Sequence, residues 1–195
     1  MGYSFTGATS MMAALGRGHE ALTYLEGMNS YLKPNTMYIE ASPCLETPLS
    51  AAQSIHDMLL QCWGGPESGL DDWGSTNRVF PAVPSSWPDV RFHDLRADGA
   101  FLISAARKGG LTEWVRIKSL AGEPCRIRPL LAGEPKILGN PVIGLKPLGG
   151  GAFELGLKKG EDAVLYAGPK APDVVIEPLP RDPSRRNSFG LRHDP

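Results

Sequence analysis

Glu46 lies in the run Cys44-Leu-Glu-Thr-Pro-Leu-Ser50, one step before a Thr-Pro pair that reads as the mouth of a helix. A carboxylate there has two possible uses. As a helix-terminus residue it gains about 0.3–1 kcal/mol from the macrodipole. As a general base it would stand at the rim of a helical barrel, facing an acid across a substrate. Inverting glycosidases hold two such carboxyls roughly 6.5–9.5 Å apart, with room between them for the attacking water. Periodicity and composition do not choose between these uses.

Other side chains carry weaker signals. His56 and Asp57 lie one turn or more into the same helix. Neighbours in sequence point in different directions on a helix, so they form no dyad, and the expectation is a satisfied core-edge His56 and a solvent-facing Asp57. Asn35, Tyr38 and Glu40 fall in the connection before Glu46, where an amide, a phenol and a carboxylate could hold sugar hydroxyls. Trp63, Trp73 and Trp87 bracket a change of texture and suit either an interface or an aromatic platform for a sugar. The sequence has no nucleophile elbow, no G-x-G-x-x-G after a strand and no P-loop.

The elements that must position these residues change type along the chain. Thr9 or Ser10 would cap a short Met11–Leu15 helical segment before Gly16 and Gly18. From His19, the spacing of Leu22, Leu25, Met28 and Leu32 predicts a second helix, ended by Lys33-Pro34. A third runs from Pro48 to about Cys62, with Thr47 as N-cap, a buried stripe of Ile55, Met58, Leu59 and Cys62, and a stop at Gly64-Gly65-Pro66. Residues 66–77 read as a polar loop carrying Asp71, Asp72 and Trp73. Beyond Trp87-Pro88 come short alternating runs at 91–95, 100–106, 113–119 and 125–128. Asp98-Gly99, Gly109-Gly110 and Ala121-Gly122 separate them at the spacing of an antiparallel sandwich. Gly149-Gly150-Gly151 is a further turn, and 153–157 with 163–167 would form a last hairpin. Helices followed by strands make the chain α+β in two parts. Two or three such helices do not enclose a core of their own, so partner surfaces are expected for their apolar faces.

The bulk properties narrow the field. The chain has 195 residues and a formal net charge of −1. Residues 1–90 hold three Lys and Arg against nine Asp and Glu, while the rest holds seventeen against twelve. The basic residues are spread along strands and tail, which does not point to nucleic acid. No apolar run is long enough to span a membrane. The start lacks a signal-peptide pattern, although Met1-Gly2-Tyr3-Ser4-Phe5-Thr6 fits the loose myristoylation motif. Cys44, Cys62 and Cys125 are widely spaced with no C-x-x-C pair, so buried free thiols are expected, without disulfide or zinc site, and the compartment stays open.

An ordered series of segments resembles glycoside hydrolase family 95, the α-L-fucosidases and α-L-galactosidases. It comprises Glu46 with the helix Ala51-Ala-Gln-Ser-Ile-His-Asp-Met-Leu-Leu-Gln61, then Arg78-Val-Phe-Pro-Ala-Val-Pro-Ser-Ser-Trp-Pro-Asp89, Asp94-Leu-Arg-Ala-Asp-Gly-Ala-Phe101 and Lys118-Ser-Leu-Ala-Gly-Glu-Pro-Cys-Arg126. The likeness spans residues 19 to 130. It implies a short all-α segment at 1–65 resembling the end of an (α/α)6 barrel, a linker at 66–90, a β-sandwich at 91–169 and a tail at 170–195. It also implies an inverting mechanism, with a Glu acid and an Asp base aided by Asn residues. Glu46 takes the position of that Asp, one methylene longer, and Thr-Pro-Leu-Ser replaces the Gly-Asn-Phe-Gly that follows the Asp in the family. The acid and the sugar-binding His motif match no segment of this chain. The implied partner is a carbohydrate with a terminal α-L-sugar, with no cofactor or metal. The alternative is a stand-alone carbohydrate-binding or interaction module that self-associates through exposed helix faces.

Overall fold

The computed structural model describes residues 2–32, 38–39, 43–62, 76–138 and 143–176. Asn35, Glu40, Trp63, Asp71, Asp72, Trp73, Lys33-Pro34, Gly64-Gly65-Pro66 and residues 177–195 lie outside them.

The molecule is α+β, and its described residues form three helices and two mostly antiparallel five-stranded sheets, with a two-stranded ladder besides. Helix α1 (Gly2–Ala14) and helix α2 (Gly18–Gly27), extended by a 3-10 turn at Met28–Tyr31, come first. A short ladder of β1 (Tyr38–Ile39) and β2 (Pro43–Cys44) follows, then α3 (Glu46–Leu59). The first part is therefore not purely helical. Helix α3 also passes without a loop into β3 (Leu60–Gln61), because Leu60 is already extended at φ −148° and ψ 126°.

Helix α1 is longer than the expected Met11–Leu15 segment, and Thr9 and Ser10 lie inside it rather than at its cap. No apolar stripe announces it. Its buried face is Gly2, Thr6, Thr9 and Ala13, small residues that let another backbone come close. That backbone is α3. Ser50 Oγ donates to Thr6 Oγ1, Ser54 Oγ donates to the Thr6 carbonyl at 2.9 Å, and the hydroxyls of Ser10 and Ser54 share a bond of 3.0 Å. Residue numbers rise together across this contact, ending with Gln61 against the Ala13 carbonyl, so α1 and α3 run parallel. Helix α2 returns antiparallel to α1, with Phe5 against Gly27 and Tyr31 and Ala13 against Ala21.

The first sheet runs β10-β11-β8-β4-β3, the second β5-β6-β7-β12-β9. Their strands are β4 (Thr76–Val79), β5 (Val90–Ala97), β6 (Phe101–Lys108), β7 (Leu111–Ser119), β8 (Pro124–Arg128), β9 (Lys136–Leu138), β10 (Leu145–Gly149), β11 (Ala152–Gly156) and β12 (Asp162–Tyr166). Only the β4–β8 pairing is parallel among the described ladders. The stretch 66–90, expected as a linker, thus supplies a strand interior to the first sheet. The sheets enclose a core that includes Val79, Phe101, Ile103, Val115, Ile117, Ile127, Leu155 and Leu165. On the outer face of the second sheet Trp114 is buried with Ala106 and Val164, and Val174 and Ile176, at the start of the expected tail, pack over it.

The expected hairpin of 153–157 with 163–167 does not form. Strand β11 pairs with β8 and β10, whereas β12 crosses to the other sheet, between β7 and β9. Both runs alternate correctly, and alternation fixes which residues face inward but not which neighbour a strand takes. The glycine turns hold: Gly109 (φ +55°) and Gly110 (φ +84°) close a two-residue loop between β6 and β7 that requires two positive φ values.

The helices are tied to the sheets. Phe80 (φ +53°) donates its N–H to the Leu59 carbonyl at 2.7 Å, and Ala82 donates to Met58 at 3.3 Å. Ala82 then joins Ala13, Ala21 and Met58 in a small core, with Trp87 packed against it. Trp87 is therefore a filler of the helix–sheet junction.

Candidate functional site

Two places merit a chemical reading, and they lie at opposite ends of α3. The first is the Glu46 corner. Helix α3 starts at Glu46, one residue before the expected Thr47 cap. Thr47 is buried, with its hydroxyl 3.6 Å from Cys44 Sγ, and so is not available to cap. Pro48 becomes the third helical residue, still within the first turn, where the N–H that proline lacks would have had no intrahelical acceptor. The side chain of Glu46 folds back instead: its Oε2 accepts from the Leu45 N–H at 3.0 Å and from Cys44 Sγ at 3.0 Å. The thiol first, then the backbone N–H groups of Glu46 and Leu45, hold the carboxyl below its ordinary value. The exposed phenol of Tyr3, from the parallel helix α1, is raised above its own by desolvation, then by the Glu46 charge. The corner thus presents a solvent-facing carboxylate, anionic at neutral pH, fixed by two donors and flanked by a thiol and a phenol. It has the charge state of a base that receives a proton from water. Of the Asn35, Tyr38, Glu40 trio, only the Tyr38 backbone is described, and in β1 it pairs opposite Cys44.

The second place is a cleft of about 550 Å3 where α1 and α3 meet the second sheet. Gln53, His56 and Asp57 form one wall, Leu95 and Arg96 of β5 the other, and Leu60, Gln61 and Cys62 line the bottom. His56 is exposed here rather than set in the core edge as expected. Asp57 is half-buried rather than solvent-facing, and Gln53 Nε2 donates to its Oδ1 at 2.9 Å. The helix ends two residues on, which turns this face toward the sheet. Gln61, buried, anchors the bottom: its Nε2 donates to Ala13 O at 2.7 Å and Asp57 O at 2.6 Å, and its Oε1 accepts from Arg78 at 3.1 Å. Burial raises the Cys62 thiol above its ordinary value.

Strand β5 reaches the cleft through a bulge. Its register with β6 breaks between Phe92 and Leu95, and Asp94 adopts φ +50°. Buried Ser104 holds this conformation, accepting the Asp94 N–H at 2.9 Å and donating to Asp94 Oδ1 at 3.0 Å. Bulges re-aim side chains, and here Leu95 and Arg96 come to lie over the cleft.

Along a helix rising 1.5 Å per residue, Glu46 and Asp57 are about 16 Å apart, so the structure does not bring them together. Sequence reasoning did not single out Gln53, Gln61 or Arg96 as a group. The Asp94–Phe101 segment carried a trace of it, since a bulge-forming Asp with its Arg two residues on is an unusual interruption of an alternating strand. Among the described residues no cluster of His, Cys, Asp and Glu could hold a metal ion, and no helix is long and apolar enough to cross a membrane. No protein-family model matches the sequence, and no curated protein matches it either.

Proposed function

We propose that the chain forms the end of an (α/α)6 barrel and the C-terminal β-sandwich of an inverting glycosidase of the family-95 type, acting on terminal α-L-fucosyl or related α-L-glycosidic bonds. The observation that carries this reading is the helix arrangement: α1 and α3 lie side by side and parallel, and α2 returns antiparallel beside α1. That is the connectivity of successive hairpins around a helical toroid, in which like helices share a ring. The N-terminal ends of α1 and α3 then share one rim, and Glu46 stands on it beside Tyr3. In the proposed mechanism the Glu46 carboxylate takes a proton from water as the water attacks the anomeric carbon, while an acid on the opposite side protonates the leaving oxygen. That acid is assigned to no residue of this chain, so the chain by itself is expected to be inactive toward aryl α-L-fucosides and α-L-galactosides.

The test is Glu46→Gln in the full-length parent. Loss of turnover by a factor of about 10³ or more, with the melting temperature nearly unchanged, is the expected outcome for a base. An active Glu46→Gln enzyme removes the role.

A second reading has its own support. Tyr3 and Met11 of α1, Leu15 one residue past its end and Leu49 of α3 are each more than half exposed, and the first three, at eight- and four-residue steps, fall in a broad stripe of about 120°. A stand-alone carbohydrate-binding or interaction module would bury that stripe by self-association. Light scattering decides: a monomer at high concentration sets this reading aside.

A further inference from the structure

We propose that the cleft between α3 and β5 is a saccharide-binding site separate from the Glu46 corner. The inference deepens the carbohydrate reading above and rests on it for the class of ligand. Size comes first: about 550 Å3 falls in the range of small-molecule sites and admits one or two sugar rings. The lining is divided as a pyranose is divided. Leu60 and Leu95 offer an apolar surface to the C–H face of a ring, and Gln53, His56, Asp57 and Arg96 offer donors and acceptors to its hydroxyl edge.

These polar groups are set in advance. The amide of Gln53 holds one carboxylate oxygen of Asp57 at 2.9 Å. The Asp94–Ser104 bonds stabilise the positive-φ bulge that delivers Arg96. A non-glycine residue at such a φ is a strained choice for a strand. The side chains of Arg96 and His56 have no hydrogen-bond or ion-pair partner among the described residues, although both border the cleft. A carboxylate on one wall and a guanidinium on the other can each grip neighbouring hydroxyls. At about 16 Å along α3 from Glu46, a sugar held here does not reach the catalytic corner. It would anchor a second part of a branched or polymeric glycan.

The experiment is an amide NMR titration of the whole chain with L-fucose, L-galactose and a fucosylated lactose. At least one of them is expected to bind with a millimolar dissociation constant and to shift the amides of 53–57 and 95–96. Arg96→Ala and Asp57→Asn should each weaken it about tenfold, the loss of one charge-assisted hydrogen bond, and Glu46→Gln should leave it unchanged. Arg96 is exposed, so its variant folds and keeps the comparison valid. The proposal is overturned by no shift at the cleft with any of the three sugars, by shifts centred on Tyr3 and Glu46, or by full affinity in the Arg96→Ala protein. Failure here is separable from failure of the catalytic reading. An active parent silenced by Glu46→Gln but lacking cleft binding sinks only the cleft, and cleft binding with an inactive parent sinks only the catalysis.

Discussion

The thiol of Cys44 donates to Oε2 of Glu46 at 3.0 Å, on the same oxygen that takes the Leu45 N–H. A residue two positions upstream thereby helps to hold the carboxyl below its ordinary value. Cys44→Ala should move the Glu46 carboxyl up toward its ordinary value, whereas Cys44→Ser, which keeps a donor, should restore most of the depression. Side-chain carbon NMR through a pH titration reads this directly. The sign for stability follows from linkage: because the folded value is depressed, the contribution is complete above the unfolded value and lost as pH falls through the folded one. Denaturant midpoints of the parent protein and Cys44→Ala should therefore converge in acid. An unmoved Glu46 titration in Cys44→Ala refutes the coupling.

Gln61 joins the ends of α1 and α3 to β4 through three hydrogen bonds of 2.6–3.1 Å while buried. Gln61→Leu keeps the bulk and removes all three side-chain bonds, while the Ala13 carbonyl still accepts the Gly16 N–H at 3.0 Å. A hydrogen bond contributes about 0.5–1.5 kcal/mol net, so the loss of these bonds should lower stability in urea unfolding by roughly 3 kcal/mol. A loss under half of one would mean that water replaces the amide.

Gly18 starts α2 against the loop after β4. A Cβ there would collide with the Ala82 carbonyl oxygen and lie 2.8 Å from its carbon, contacts with backbone that cannot rotate away. Gly18→Ala should destabilise the chain by about 1–3 kcal/mol, the range for overpacking, against the small gain that the same change gives in an open helix. Gly7, with nothing within 4 Å of its would-be Cβ, is the control, and Gly7→Ala should be neutral or stabilising.

The three thiols should react with an alkylating reagent in a fixed order. Cys44 is half-exposed at the Glu46 corner and should react first. Cys62 is slowed by its burial, and Cys125, fully buried, has a thiol pushed up to about 12 by desolvation. Reactivity follows thiolate content and access, so mass spectrometry should find Cys125 unmodified until the protein unfolds. Labelling of Cys125 at the same rate as Cys44 would contradict the burial.

Local rules acting along the chain determined much of this protein. Period-two alternation placed β5 to β8, β11 and β12 to within a few residues, because a sheet with one buried face forces it. The glycine pair at 109–110 marked its turn because only glycine takes two positive φ values without strain. The Met58 and Leu59 stripe marked α3. What the tertiary structure decided is partnership. The part of helix α1 before Met11 escaped detection because the helix buries Thr6, Thr9 and Ala13 against the serines of α3, and a small hydroxyl face carries no hydrophobic period. Strand β12 left its sequence neighbour for the opposite sheet, and β4 took a parallel partner about fifty residues away. Glu46 was visible as a carboxylate at a helix start, but the thiol and amide that fix it became apparent only when β2 met the first turn of α3. The cleft was the least legible feature of all. Gln53, Asp57 and Gln61 come from one helix end and Arg96 from a strand some forty residues on, and a site made by the meeting of two surfaces has no pattern in either one alone.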